Sequence, residues 1–214
     1  EEPMKRVPQI LLFTLCAILV VACGNKPEVG LERGEHLFQT CVPCHGSDGG
    51  GNQSLGAPAI AGMSQWYLEA QLVKFRDGAR GDHPDDPEGL RMRPMARTLS
   101  DVGDVESVAQ FTASLPQVAP DRTLGGDATA GAASYALCST CHGADGSGNQ
   151  DMNAPSLTDK DDWYLATQIG KFKSGVRGAD PEDTTGAEMR GMAATLADDK
   201  AVSDVLAHVA TLGN

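Results

Sequence analysis

Cys41-Val42-Pro43-Cys44-His45 and Cys138-Ser139-Thr140-Cys141-His142 are two copies of one five-residue pattern, and the rest of the chain is arranged around them. Cys-x-x-Cys-His is the attachment pattern of c-type haem. Two thiols about one turn apart reach the two vinyl groups of one porphyrin and form thioethers. The adjacent histidine then presents a ring nitrogen to the iron. Each copy is followed by Gly and then Asp-Gly, at Gly46 and Asp48-Gly49 and at Gly143 and Asp145-Gly146. One match of this length arises by chance in a cysteine-containing protein; two with the same flanks are hard to explain otherwise. Cys41, Cys44, Cys138 and Cys141 are therefore assigned to two covalent haem c groups, with His45 and His142 as proximal iron ligands. A zinc site would want its histidines farther from the cysteines. A pair of Cys-x-x-Cys disulfides would leave both trailing histidines unexplained.

The second copy follows the first at a fixed offset of 97 positions (138 − 41), and the offset carries far more than the motif. Gly34 returns as Gly131, Phe38 as Tyr135, Gly51-Asn52 as Gly148-Asn149 and Ala57-Pro58 as Ala154-Pro155. Trp66-Tyr67 returns as Trp163-Tyr164, Gln71 as Gln168, Lys74-Phe75 as Lys171-Phe172 and Arg80-Gly81 as Arg177-Gly178. Met92-Arg93, Met95-Ala96 and Leu99 return as Met189-Arg190, Met192-Ala193 and Leu196, with no gap anywhere between. The period is longer than that of solenoid or propeller repeats. It marks a tandem duplication of a whole small domain.

The apolar spacing predicts a helix over about 31–40, ending at the first motif, and another over 64–76, with Trp66, Leu68, Leu72 and Phe75 apolar and Gly78 as its stop. A closing helix is expected over 101–115, carrying Val105, Val108 and Thr112. Residues 81–89 read as a polar loop, with Met92 and Met95 after it. Aromatic residues make up only 5% of the chain, thin for two cores, and a haem in each supplies the missing apolar surface. With 25 glycines and 12 prolines the helices should be short and separated by substantial loops. The expectation is an all-α protein, residues 31–117 and 127–214 each forming short helices around one haem, joined by a linker at 118–126.

The N-terminus reads as a signal peptide over 1–22: Lys5 and Arg6, an apolar run from Ile10 to Val21, then Ala22 before Cys23. Leu19-Val20-Val21-Ala22-Cys23 resembles a lipobox, which makes Cys23 the lipidation site and 23–30 a tether in the bacterial periplasm. The alternative is an uncleaved anchor helix. Cysteine usage closes on this reading, because Cys16 leaves with the signal and no pair remains for a disulfide. Glu1-Glu2-Pro3 ahead of Met4 is given no structural weight. The formal net charge is −12, which repels nucleic acid and anionic headgroups and steers toward basic docking patches on partner proteins. No phosphate-binding glycine loop or nucleophile–base constellation is present; Gly49-Gly50-Gly51 lacks the Lys-Ser/Thr that a P-loop requires.

An electron carrier fills both axial positions of its iron, and a methionine thioether as second ligand raises the potential. The duplication offers Met92 or Met95 in the first copy and Met189 or Met192 in the second. Met63 and Met152 do not match across the repeat, and His36, His83 and His208 fall opposite Ala133, Asp180 and Phe111. Those three histidines are expected to be solvated or partly packed. Lys74, Lys171, Arg80 and Arg177 recur in both halves, which suits neutralising haem propionates, contacting the facing domain, or merely ending a solvated helix.

The whole arrangement, Cys-x-x-Cys-His-Gly-x-Asp-Gly, Ala-Pro, Trp-Tyr-Leu-x-x-Gln, Lys-Phe-x-x-Gly-x-Arg-Gly and Met-Arg-x-Met-Ala-x-x-Leu, resembles the dihaem class I cytochromes c of the c-four type across nearly all of the chain after the tether. The resemblance implies Met92 and Met189 as the axial ligands, leaving Met95 and Met192 to the core. It implies that the carbonyls of Pro58 and Pro155 accept a hydrogen bond from the other ring nitrogen of His45 and His142. It implies a non-enzymatic electron carrier that hands electrons between respiratory-chain components, with a terminal oxidase as acceptor. The alternative from a different class is the electron-accepting cytochrome subunit of a periplasmic dehydrogenase complex. A gas sensor or enzyme with an open iron would need one methionine displaced. The two copies also differ: Ala61-Gly62 becomes Thr158-Asp159, and 82–88 differs from 181–186, so equal potentials are not expected.

Overall fold

In the first half of the chain α1 (Leu31–Phe38), α2 (Val42–His45), α3 (Gln65–Asp77), α4 (Pro87–Arg97) and α5 (Asp104–Ser114) follow one another in a computed structural model that describes residues 29–213. The second half has α6 (Ala128–His142), α7 (Asp162–Ser174), α8 (Thr184–Ala193) and α9 (Asp199–Leu212). Short 3-10 turns at Gln53–Leu55 and Gln150–Met152 occupy the same place in each copy. Among the described residues there is no strand, only isolated bridges between Asn52 and Ala57 and between Asn149 and Ala154. The protein is all-α, two small helical domains in tandem. The signal-peptide reading of 1–22, the lipid site Cys23 and the tether up to residue 28 lie outside the described residues. No described helix is long and apolar enough to cross a membrane.

In each domain the first and last helices cross, α1 on α5 and α6 on α9. The crossing point is glycine in both. A Cβ on Gly34 would lie 2.1 Å from the Ser107 carbonyl oxygen, and one on Gly131 would lie 1.9 Å from that of Asp204. No side chain fits there, which explains why this pair of glycines is shared by the two copies. Around the crossing, Phe38 packs with Leu99, Val105 and Val108 in the first domain, and Tyr135 with Leu196, Val202, Val205 and Leu206 in the second. Burial of these side chains removes them from water at roughly 25 cal/mol per Å².

The helix ends are set by short-range chemistry. Asp86, Asp127, Asp183 and Asp198 cap the N-termini of α4, α6, α8 and α9 through their side chains. Gly78 and Gly175 end α3 and α7 in the left-handed conformation. The predicted helix over 64–76 appears as Gln65–Asp77, and that over 101–115 is shorter, Asp104–Ser114.

Two expectations need correction. The stretch after residue 86 is not simply loop, because α4 starts at Pro87 and carries Met92 and Met95. Proline at the first helical position favours a start there. Pro94 inside the same helix is exposed and costs only the Leu90 carbonyl its i+4 donor. Met95 is not core: it is 38% exposed, while Ala96, four residues after Met92 and on the same helical face, is the buried residue.

Candidate haem sites and the face between them

His45 and His142 each end a helix, the short α2 and the long α6. Their Nδ1 atoms donate to the carbonyl oxygens of Pro58 and Pro155, at 2.9 and 2.7 Å. A carbonyl only accepts, so the proton sits on Nδ1 and the Nε2 lone pair is left bare for a metal. Burial pushes both imidazoles below their usual range, against the raising effect of the Pro carbonyl; at His142 the Lys160 ammonium lowers it further. A neutral ring is the form that ligates iron. The proline carbonyl is held in place by a glycine loop. Gly51 and Gly148, at φ 85° and 86°, donate to the carbonyls of His45 and His142 at 2.8 Å, and a Cβ at either would lie 2.6 Å from the proline carbonyl carbon. The conformation and the close approach both require glycine.

None of the four motif cysteines is in a disulfide, so all four are available for thioether bonds. Burial, with Cys44 as neighbour, pushes the Cys41 thiol up to about 11, and burial also raises Cys138. Among the described residues no group of three or more His, Cys, Asp or Glu is placed to hold a metal ion, so a zinc reading of the motifs has no further ligands to offer.

In the second domain these residues open onto one cavity of about 1300 Å³, its mouth included. Cys138, Cys141, His142, Pro155 and Met189 all line it, with Leu165, Phe172 and Leu206 among its apolar walls. Met192 lines it as well, so the second domain brings both candidate methionines to the site. In the first domain Met92 is partly buried on α4, which packs on α3. His36 is exposed, His83 accepts from the Asp85 backbone N–H at 3.1 Å, and the His208 ring lies 5.2 Å from that of Tyr135. None of the three approaches a motif histidine in any of these contacts.

The repeated basic residues meet at the face between the domains. Arg80 donates to Gln71 of its own domain at 2.9 Å and to Gln168 of the other at 2.9 Å. Arg177 mirrors it, donating to Gln168 at 2.9 Å and to Gln71 at 2.8 Å. Each guanidinium also stacks on its own phenylalanine, 4.3 Å from the Phe75 centroid and 4.4 Å from that of Phe172. Both arginines are buried, yet among the described residues neither has a carboxylate within ion-pair distance. Two buried cations satisfied only by neutral amides and a phenol call for anions. Arg177 lines the second cavity directly, and haem propionates are the anions that a haem there would bring. The residues therefore fit the group. Tyr164, also in that cavity, is pulled down to about 8: burial alone would raise the phenol, but Arg80, Arg177 and Lys160 together outweigh it.

Sequence reasoning left the four basic residues open between three roles. Their recurrence was the signal, and which residue they face could not be read without the docking of the two domains.

Two thioether-ready motifs, each with a buried neutral imidazole and each in its own helical domain, define a tandem c-type haem protein. The comparisons agree in detail. The Cytochrome c family matches residues 31–116 and again 128–213. A thiosulfate dehydrogenase electron acceptor of Thiomonas intermedia is 33% identical over 84% of this chain and 80% of its own. The cytochrome c4 of Stutzerimonas stutzeri is 31% identical over 90% and 92%. The crystal structure of reduced recombinant cytochrome c4 from Pseudomonas stutzeri superposes with a TM-score of 0.63 at 28% identity, over 84% of this chain and 96% of that one. The chain belongs to the cytochrome c family, as a dihaem cytochrome of the c4 type: an electron carrier with two covalent haem c groups.

Proposed function

We propose that this protein is an exported carrier, tethered to the membrane of the bacterial periplasm through a lipidated Cys23 after loss of residues 1–22, that delivers electrons to a terminal oxidase or another respiratory complex. Its units are a cytochrome domain at 31–117, a linker at 118–126 and a second domain at 127–214. The haem irons supply a reversible one-electron couple when bound, and the protein's residues set its conditions. His45 and His142 offer Nε2 while Pro58 and Pro155 hold the rings. Met92 and Met189, each 47 positions after the motif histidine (92 − 45 and 189 − 142), would supply the second protein ligand to each haem iron. With both positions filled by protein, no substrate reaches either iron.

One observation carries this reading: each copy holds its motif histidine on a proline carbonyl, and the second domain's cavity, which collects His142 and Met189, opens on the face that both copies build from the same residues. The net charge of −12 supports partners with basic patches, with association that weakens as salt rises.

The direct test is optical and redox titration of Met92→Ala and Met189→Ala. Each variant should lose the near-infrared methionine-to-iron band and show a lower potential at one haem only. An unchanged spectrum in either would remove that methionine as a ligand. Mass spectrometry of the mature N-terminus should find acylated Cys23; an intact Ala22-Cys23 peptide would rule out the lipid anchor.

A second reading has its own support, since the Thiomonas relative is named as an electron acceptor of thiosulfate dehydrogenase. On that reading the protein is the cytochrome subunit of a periplasmic dehydrogenase complex. Stoichiometric copurification with a dehydrogenase through a high-salt wash would favour it over a free shuttle.

A further inference from the structure

The shared face holds a crossed pair of lysine contacts that the electron-carrier reading does not use. Lys74, on α3 of the first domain, donates to Asp183 Oδ1 and Thr185 Oγ1 of the second, both at 2.6 Å. Lys171, on α7 of the second, donates to Asp86 Oδ1 at 2.5 Å and Glu88 Oε2 at 2.6 Å of the first. The two sets are related by the 97-residue offset, so the contact is built twice.

The acceptors matter more than the pairing. Asp86 and Asp183 are the N-caps of α4 and α8, and each accepts the backbone N–H three residues on, from Gly89 and Gly186, at 2.9 Å. Both caps are buried, with 2% of their surface exposed. A buried carboxylate keeps its charge only where it is paired. Each cap therefore depends on an ammonium that comes from the other domain. The helices so capped are the ones carrying Met92 and Met189, six positions after the cap in each case (92 − 86 and 189 − 183). A helix turn is stiff, and the first turn fixes where the second points.

We propose that Lys74 positions the methionine helix of the second domain and Lys171 that of the first, so that each iron's axial methionine is held in trans by the other domain. This rests on Met92 and Met189 as ligands. The arrangement makes docking of the domains part of each iron site. It is also unequal, because Lys171 binds two carboxylates and Lys74 one carboxylate and a hydroxyl.

The test uses the dihaem holoprotein and Lys74→Met, Lys171→Met and Lys74→Arg. Lys→Met keeps the hydrocarbon stem and removes the ammonium. Hydrogen exchange of 184–193 should lose roughly tenfold protection in Lys74→Met, with 87–97 unchanged, as expected for one charged hydrogen bond. Lys171→Met should do the reverse, and by more. The potential of the haem opposite the substituted lysine should fall, with weakening of its near-infrared band, and Lys74→Arg should restore both.

Arg80→Met serves as the control, since it cuts the shared face at Gln71, Tyr164 and Gln168 without removing a hydrogen bond to either cap. Equal loosening of both helices in Arg80→Met would mean that the lysines act only by docking the domains, and the proposal fails. It fails equally if a lysine variant loosens its own domain's helix, loosens neither, or loosens the opposite helix without moving that haem's potential. Met92→Ala and Met189→Ala keep the ligand question separate. If they leave the spectra unchanged the ligand reading falls, while the exchange pattern still decides whether the caps are held in trans.

Discussion

The segments 61–65 and 158–162 occupy the same place in the two domains and do opposite things. In the first, Ala61-Gly62-Met63-Ser64-Gln65 closes a core: Met63 is 4% exposed and packs with Tyr67, Leu68 and Ala109. In the second, Thr158-Asp159-Lys160-Asp161-Asp162 is a polar socket. Asp161 accepts from the backbone of Asp121 at 2.9 Å and of Ala59 at 3.2 Å, and Asp162 accepts from Thr123 at 3.0 Å and Leu124 at 2.7 Å. Arg122 reaches back to the carbonyls of Lys160 and Thr158 at 2.6 and 2.8 Å. The second copy thus fastens the linker onto itself, and through Ala59 fastens the first domain's haem loop as well. A duplicated domain with a partner must hold that partner, and the second copy departs from the first where the linker lands.

Lys160 is the sharpest point of that divergence. It is 3% exposed, bonded to Asp159 at 2.7 Å, with its ammonium 5.2 Å from the Tyr67 centroid across the domain face. Its counterpart is Met63. Met63→Lys should be the most damaging exchange, because the neighbouring Gly62 offers no carboxylate and the new charge would be buried unpaired. We expect a loss of about 3 kcal/mol or more in the first domain's stability, read by denaturant unfolding followed at its haem. A stable variant would mean that the first core admits water. The reverse exchange, Lys160→Met, is milder. Lys160 lines the second cavity together with His142 and Met189, and a cation there disfavours the ferric state. Its removal should lower the second haem's potential by on the order of tens of millivolts and leave the first haem unmoved. Redox titration of the separate haems checks both halves of that statement.

The duplication and its residues were legible in the sequence because each is fixed by a local demand. The glycines at 34 and 131 answer to a helix crossing, those at 51 and 148 to a tight loop, and the motif residues to covalent chemistry. What stayed hidden depends on the second domain's position. Lys74 and Arg80 recur as plainly as His45, yet their partners lie about 90 to 110 residues away and no periodicity connects them. The helix α4 was hidden for another reason: it begins at Pro87, inside the polar stretch 81–89 that reads as loop, and the Asp86 cap and the exposed setting that tolerates Pro94 appear only in the fold.

The remaining contrast lies inside the motifs. In the second domain α6 runs unbroken from Ala128 to His142. In the first, α1 stops at Phe38 and α2 restarts at Val42, with i→i−3 bonds between, Thr40 to Leu37 at 3.1 Å and Cys41 to Phe38 at 2.8 Å. Pro43 explains the break, since it has no N–H for the Gln39 carbonyl and its ring crowds that carbonyl. Ser139 and Thr140 in the second motif impose no such limit. Pro43→Ser should let α1 and α2 merge, gaining helical bonds while giving up the proline's restriction of the unfolded chain. These oppose each other, so the net change in stability should stay within about 1 kcal/mol. The contact from His45 to the Pro58 carbonyl involves neither side chain, so the first haem's potential and near-infrared band should not move. A shift in either would show that the broken helix tunes the first iron, and the two motifs would then differ in function as well as in shape.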